Sequence, residues 1–151
     1  MNENDFENMV DNILIYYPLF YRRIKTSMKY KGTSKYAKPT GYYQILGTLI
    51  NEGSLPISKV GKVLYISKPN MTTLIDKLVT DKMVKRVRSK EDRRIINIEI
   101  TEEGKKFLFD GRKAVEKNIE ENLSSLDEKD IKTLNQSLEN IKKLVLKINP
   151  Q

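Results

Sequence analysis

Residues Ile66 to Thr101 constrain this chain more than any other stretch. They open with a polar-capped helix pattern and pass through six cations, Lys85, Arg86, Arg88, Lys90, Arg93 and Arg94. They end in the alternating run Ile95-Ile96-Asn97-Ile98-Glu99-Ile100. Alternation of this kind sets a strand with one buried and one wet face, and Met83 to Val87 reads as a second strand, so that Arg88 to Arg94 becomes the loop of a hairpin. A short helix followed by a basic hairpin has the shape to grip a polyanion along two adjacent grooves.

The placement of charge supports that reading more strongly than its total. The net charge is +8, yet residues 1–28 carry 3 basic and 4 acidic side chains and residues 95–151 carry 10 and 11. Residues 29–94 hold 15 basic side chains against 5 acidic ones. A generic solubilising surface would not confine the surplus to one segment, whereas a nucleic-acid-binding face would.

Several function classes fall away on composition. The chain contains no cysteine and no histidine, which excludes disulfides and thiolate metal sites and removes the commonest metal ligand and general base. Its acidic residues lie mostly at helix starts and on exposed helical faces, where they solvate or offset the helix dipole, so no enzyme, metal or cofactor is expected. No apolar run approaches a membrane span, and Met1 to Asp11 is acidic rather than a cationic leader. A soluble, cytoplasmic protein of 151 residues, able to bury one core, is expected.

The helices are legible from spacing. Phe6, Val10, Ile13, Tyr17, Phe20 and Ile24 recur every three or four residues. Pro18 interrupts them and predicts a kink near Leu14 to Tyr17 or two abutting helices. Lys29 to Pro39 has the composition of a connector. Thr40 to Asn51 resumes the helical period and Gly53 closes it as a C-cap. A two-turn helix through Val60, Val63 and Leu64 then meets a turn at Tyr65-Ile66. Ser67 serves as the N-cap and Pro69 falls in the first turn of the next helix. That helix lines Met71, Leu74, Ile75 and Leu78 on one face and leaves Lys68, Asn70, Thr72, Thr73 and Lys77 free to read base edges. Thr101 caps a long helix through Phe107, and Asp127 opens the last one.

The last helix spaces Ile131, Leu134, Leu138, Ile141, Val145 and Ile148 by alternating threes and fours, the pattern of a coiled-coil seam. With the first helix equally apolar, a small head has too little surface to cover both. We therefore expect a homodimer joined through Phe6, Val10, Ile13, Leu134, Leu138, Ile141 and Val145. Such a dimer presents two reading helices to a pseudo-palindromic double-stranded DNA operator.

Taken together, the run from Ile66 to Leu78 and the segment Glu91-Asp92-Arg93-Arg94 through Ile100-Thr101-Glu102-Glu103-Gly104 resemble the multiple-antibiotic-resistance regulator (MarR) family over nearly the whole chain. The resemblance implies a mainly helical α+β fold with a small hairpin: a winged helix-turn-helix over 40–101, and dimerisation helices at 5–28 and 102–148. It also implies a dimeric, sequence-specific DNA-binding regulator, a repressor released by a small ligand. By the same resemblance Ser67 to Thr73 and Lys77 enter the major groove. Asp92 and Arg94 match the wing's Asp-x-Arg motif, the arginine reaching the minor groove and the aspartate orienting it, with Arg86, Arg88, Lys90 and Arg93 beside them. The chain departs from the family pattern at Tyr65 and Lys82, where glycine is usual.

Two further readings stay open. A winged-helix module that binds protein or structured RNA would show exposed apolar residues on its binding face, and here the candidates are cations, Asn70 and threonines. A small aromatic or anionic effector would sit where Tyr16, Tyr17, Tyr42, Tyr43 and Phe107 gather at the helix junctions, although aromatics so placed more often pack a core.

Overall fold

The computed structural model describes residues 3–28 and 35–148. The N-terminal arm is α1 (Glu3–Asp11), a π-helical turn (Asn12–Tyr16) and α2 (Tyr17–Lys25). Pro18 lies in the first turn of α2, where it needs no amide. The widened turn before it, closed by the Tyr17 N–H on the Asn12 carbonyl, absorbs the ring that would otherwise strike the Leu14 carbonyl. The interruption expected at Leu14 to Tyr17 thus takes the form of a π turn.

The head comprises α3 (Thr40–Glu52), β1 (Leu55–Pro56), α4 (Ile57–Val63), α5 (Lys68–Thr80), β2 (Val84–Arg88) and β3 (Ile96–Ile100). Long α6 (Glu102–Leu123) and α7 (Glu128–Val145) complete the chain. This is the winged helix-turn-helix expected from the sequence. The three strands form an antiparallel sheet in the order β1-β3-β2. The hairpin strands begin one residue later than expected, and β1 was not anticipated. Leu55 pairs with Ile98 and Pro56 with Asn97, so β1 covers the outer edge of β3 with a segment too short to carry a period.

Apolar faces of these elements meet in one core of Ile45, Leu46, Leu49, Val60, Met71, Ile75, Leu78, Val84 and Ile98, with Tyr42 and Phe107 at its margin. Residues 29–34 of the expected connector lie outside the described residues. Its later part is more than a connector, because Tyr36 packs on Phe107 with ring centroids 5.6 Å apart. By contrast α1, α2 and α7 bury no residue. Asn122 of α6 ties the arm down by donating to the Arg23 carbonyl at 2.9 Å and to the buried Ser27 hydroxyl.

Two turns around α5 adopt a left-handed backbone, at the two positions where the chain departs from the family's glycines: Tyr65 has φ 53° and Lys82 φ 59°. Ser67 caps α5 in extended conformation, but its side chain makes no cap hydrogen bond, contrary to expectation. Thr101 does cap α6, accepting from Gly104 N at 3.0 Å while its hydroxyl donates to the Lys82 carbonyl at 2.6 Å. At Gly104 a Cβ would lie 2.2 Å from the Met83 carbonyl oxygen, so only glycine lets α6 start this close to β2. The other end of α5 is anchored through Asp81, which accepts from Lys38 at 2.9 Å and from the Tyr42 hydroxyl at 3.1 Å.

Two tests follow from these joints. Gly104→Ala should destabilise the protein by about 1–3 kcal/mol, the range for overpacking. Lys82→Gly should stabilise it by up to about 1 kcal/mol by removing a side chain from the left-handed region. Chemical denaturation without DNA checks both, and equal signs would contradict the assigned backbone. Tyr42 offers a pH test. Burial, then the bond to Asp81, pushes its hydroxyl up to about 12 from an ordinary value of about 10. Folding thus favours the neutral phenol, and this contribution is complete below pH ~10 and lost as pH rises towards 12. Tyr42→Phe should cost about 0.5–1.5 kcal/mol at neutral pH and show a flatter alkaline decline; parallel curves for the two proteins would refute the assignment.

Candidate nucleic-acid interface

The N-terminal half of α5 presents Ser67, Lys68, Pro69, Asn70, Thr72 and Thr73 to solvent, with Lys77 exposed further along. Met71, Ile75 and Leu78 anchor the opposite face in the core, and that anchoring aims the polar residues outward. Thr72 and Thr73 donate their hydroxyl protons to the Lys68 and Pro69 carbonyls at 3.1 and 3.2 Å, so their oxygens face solvent as acceptors.

The wing tip is held from within. Ser89 Oγ accepts from the amides of Glu91 and Asp92 at 3.2 and 3.4 Å. Asp92 Oδ1 accepts from the Arg94 amide at 2.9 Å and from its Nε at 3.2 Å, while Oδ2 accepts from Nη2 at 3.3 Å. The Arg94 backbone N–H, then its guanidinium, holds the Asp92 carboxyl below the usual carboxylate range. The Arg94 side chain is nevertheless 91% exposed. A cation is thus oriented by its own hairpin without being covered.

Arg94 and the start of α5 are brought together. Ser67, Lys68, Thr72 and Arg94 line one cavity of about 900 Å³ together with Pro56, Ile57, Gly61, Met71 and Ile96. Lys62 and Tyr65 also line it. Sequence reasoning named neither as a site residue and noted Tyr65 only for its departure from the family pattern, although Lys62 is a cation on the first helix of the helix-turn-helix. Arg88, Lys90 and Arg93 are exposed around the hairpin.

Arg86 is placed differently. It pairs in register with Ile98, on the sheet face turned towards α5, and its Nη2 lies 2.5 Å from Asp76 Oδ1 of that helix. Strand alternation therefore makes Arg86 a brace between wing and reading helix, a task no charge count could separate from phosphate binding. Asp76 was the missed partner.

The five aromatic candidates divide. Tyr42, Tyr43 and Phe107 pack with Tyr36, the Tyr43 and Phe107 centroids being 5.3 Å apart and Tyr42 only 2% exposed. Tyr16 and Tyr17 are 60% and 62% exposed. They form a packed trio and an exposed pair rather than one lining. Among the described residues no group of acidic side chains could hold a metal ion, and no helix is long and apolar enough to cross a membrane.

A polar reading helix, an arginine-bearing wing and a helical base define a winged helix-turn-helix DNA-binding protein. The chain belongs to the MarR family of HTH-type transcriptional regulators, and residues 41–96 match the family directly. It is 30% identical to the uncharacterized HTH-type transcriptional regulator YfiV of Bacillus subtilis, over 95% of this chain and 93% of that protein. It is 41% identical to the uncharacterized regulator YpoP of the same organism, over 44% of this chain and 47% of YpoP, about half the length of that relative. In fold it is similar to a mutant MarR from E. coli complexed with operator DNA, with a TM-score of 0.67 at 17% identity, over 87% of this chain and 96% of the other.

Proposed function

We propose that the protein is a dimeric, sequence-specific repressor of transcription, acting in the cytoplasm. It would bind a pseudo-palindromic operator through the head at 40–101, with 5–28 and 102–148 forming the dimer base. The observation that carries this reading is the juxtaposition of the exposed N-terminal half of α5 with Arg94, held in place by Asp92 at the wing tip. A helix start of this width fits a major groove, and an arginine one hairpin away fits the adjacent minor groove, where it reads width and negative potential. The operator DNA in the E. coli MarR complex supports this use of the fold.

Dimerisation is supported by what the single chain leaves uncovered. Phe6, Ile13, Leu138, Ile141 and Val145 are exposed, Val10 and Leu134 are half-buried, and all of them lie on helices without a fully buried residue. A small aromatic or anionic effector is supported by the cavity between α4, α5 and the wing, whose lining is mostly apolar and includes the cations Lys62, Lys68 and Arg94. Because Lys68 and Arg94 would also face DNA on this reading, an occupant would favour the free protein over the bound one, as release requires. This is a better-supported location than the packed trio of Tyr42, Tyr43 and Phe107.

Arg94→Ala should weaken operator binding by about 1–3 kcal/mol and reduce the slope of log affinity against log salt by about one unit for each phosphate no longer neutralised. Asn70→Ala should instead erode discrimination between operator and random duplex with little change in slope. Titrations at several salt concentrations separate the two, and an unchanged affinity and slope for Arg94→Ala would remove the wing from the DNA interface and advance the protein-binding reading. For the base, replacing Leu138 and Ile141 together by aspartate should yield a monomer that binds a full site poorly. Sedimentation showing wild type already monomeric at micromolar concentration would defeat the dimeric reading.

A further inference from the structure

Tyr65 occupies a backbone conformation in which glycine is relaxed and a side chain is strained. The residue is 58% exposed, so burial does not account for an aromatic side chain there. What the side chain reaches is the far end of the chain: the Tyr65 hydroxyl donates to the Ile148 carbonyl at 3.1 Å. Ile148 stands just beyond the last turn of α7.

That bond has no companion among the described residues. The other side-chain hydrogen bonds and the ion pair of the last helix stay within it or its cap: Asp127 with Asp130, Thr133 with Lys129, Gln136 with Asn140, Ser137 with Thr133, Lys142 with Glu139. Since α7 also has no fully buried residue, the Tyr65 hydroxyl is, among the described residues, the polar link between that helix and the reading head. Its place matters, because the same turn leads through Ile66 into Ser67, the N-cap of α5. A shift at the end of α7 is therefore delivered to the start of the reading helix. Strained residues persist where their surroundings over-determine them, and here the determining bond is made by an atom that neither glycine nor phenylalanine has.

We propose that Tyr65 is a positioning residue for DNA reading: its hydroxyl fixes the head's orientation on α7 and so the relative placement of the two heads of the dimer. This rests on the dimeric reading above. A head free to turn on the base must be ordered when both half-sites are engaged together, and that ordering opposes binding. Engagement of a single half-site carries no such requirement.

The test uses the full chain and a duplex recovered by selection from random sequence, offered as the complete site and as one half-site, with sedimentation alongside. Tyr65→Phe should stay dimeric, bind the complete site roughly two- to tenfold more weakly, the factor for one neutral hydrogen bond, and bind the half-site as wild type does. A chain ending at Lys147 removes the Ile148 carbonyl together with its apolar side chain, so it should lose at least as much complete-site affinity, and adding Tyr65→Phe to it should cost nothing further, because the bond is already gone. Tyr65→Gly should melt higher than wild type yet lose the same complete-site affinity, separating backbone strain from positioning. Unchanged complete-site binding, equal losses on both duplexes, or additive losses in the combined variant would overturn the role of Tyr65 while leaving the dimer intact. A monomeric wild type would overturn the dimeric reading, and this proposal with it.

Discussion

The Thr101 joint is the constraint on which the rest of the molecule hangs. Its hydroxyl donates to the Lys82 carbonyl and accepts from Gly104, and its amide donates to the Met83 carbonyl at 3.0 Å. The residue thereby locks together the turn after α5, the approach to β2, the end of β3 and the first turn of α6. Gly104 is the spatial condition for this closeness. As a result the axis of the reading helix, the pitch of the wing and the direction of α6 are set jointly. Because α6 runs on to Asn122, which holds the end of α2, one rigid helix carries that geometry from head to base.

Within this frame the positive surplus of the middle segment is sorted by what each cation faces. Lys38 is engaged by Asp81, Lys85 by Glu99 and Arg86 by Asp76. Solvated pairs of this kind add little stability, but they decide orientation. Lys38 holds the approach to α3 against the end of α5, and Arg86 holds the wing against its middle. Arg94 differs because its partner, Asp92, lies on the same hairpin and grips the base of the guanidinium while leaving it open. An arginine restrained in this way has less rotamer freedom to surrender on binding than a free one.

The periodic parts were legible from sequence, and the reasons are local. Thr101 and Asp127 declare helix starts because capping is a matter of neighbouring residues, and Tyr65 and Lys82 stood out because side chains occupy positions where the family resemblance implies glycine. The parts that escaped depend on neighbours distant in sequence. The strand Leu55–Pro56 exists only because β3 lies beside it. Tyr36 looked like part of a connector until Phe107 came to meet it. Arg86 looked like one more wing cation, because alternation shows that a strand has two faces but not which of them a helix will cover. Ser67 occupies the cap position without making the cap bond, since its N-cap role rests on backbone conformation.

The two left-handed residues bracketing α5 expose a choice between stability and placement. Glycine at either site would relieve the backbone, yet each side chain stands where it serves the head. Lys82 adds a cation to the most basic segment of the chain, beside the carbonyl that Thr101 grips, and Tyr65 extends a hydroxyl to the end of α7. The core can bear this strain because it is built from the head and the start of α6, drawing nothing from α1, α2 or α7. The arms are in the opposite condition, with apolar faces that their own chain leaves open. On the dimeric reading their burial comes from the partner, so their order depends on concentration in a way that the order of the head does not. A link from the strained turn to the last arm then joins the self-sufficient half of the molecule to the half that a second subunit would complete.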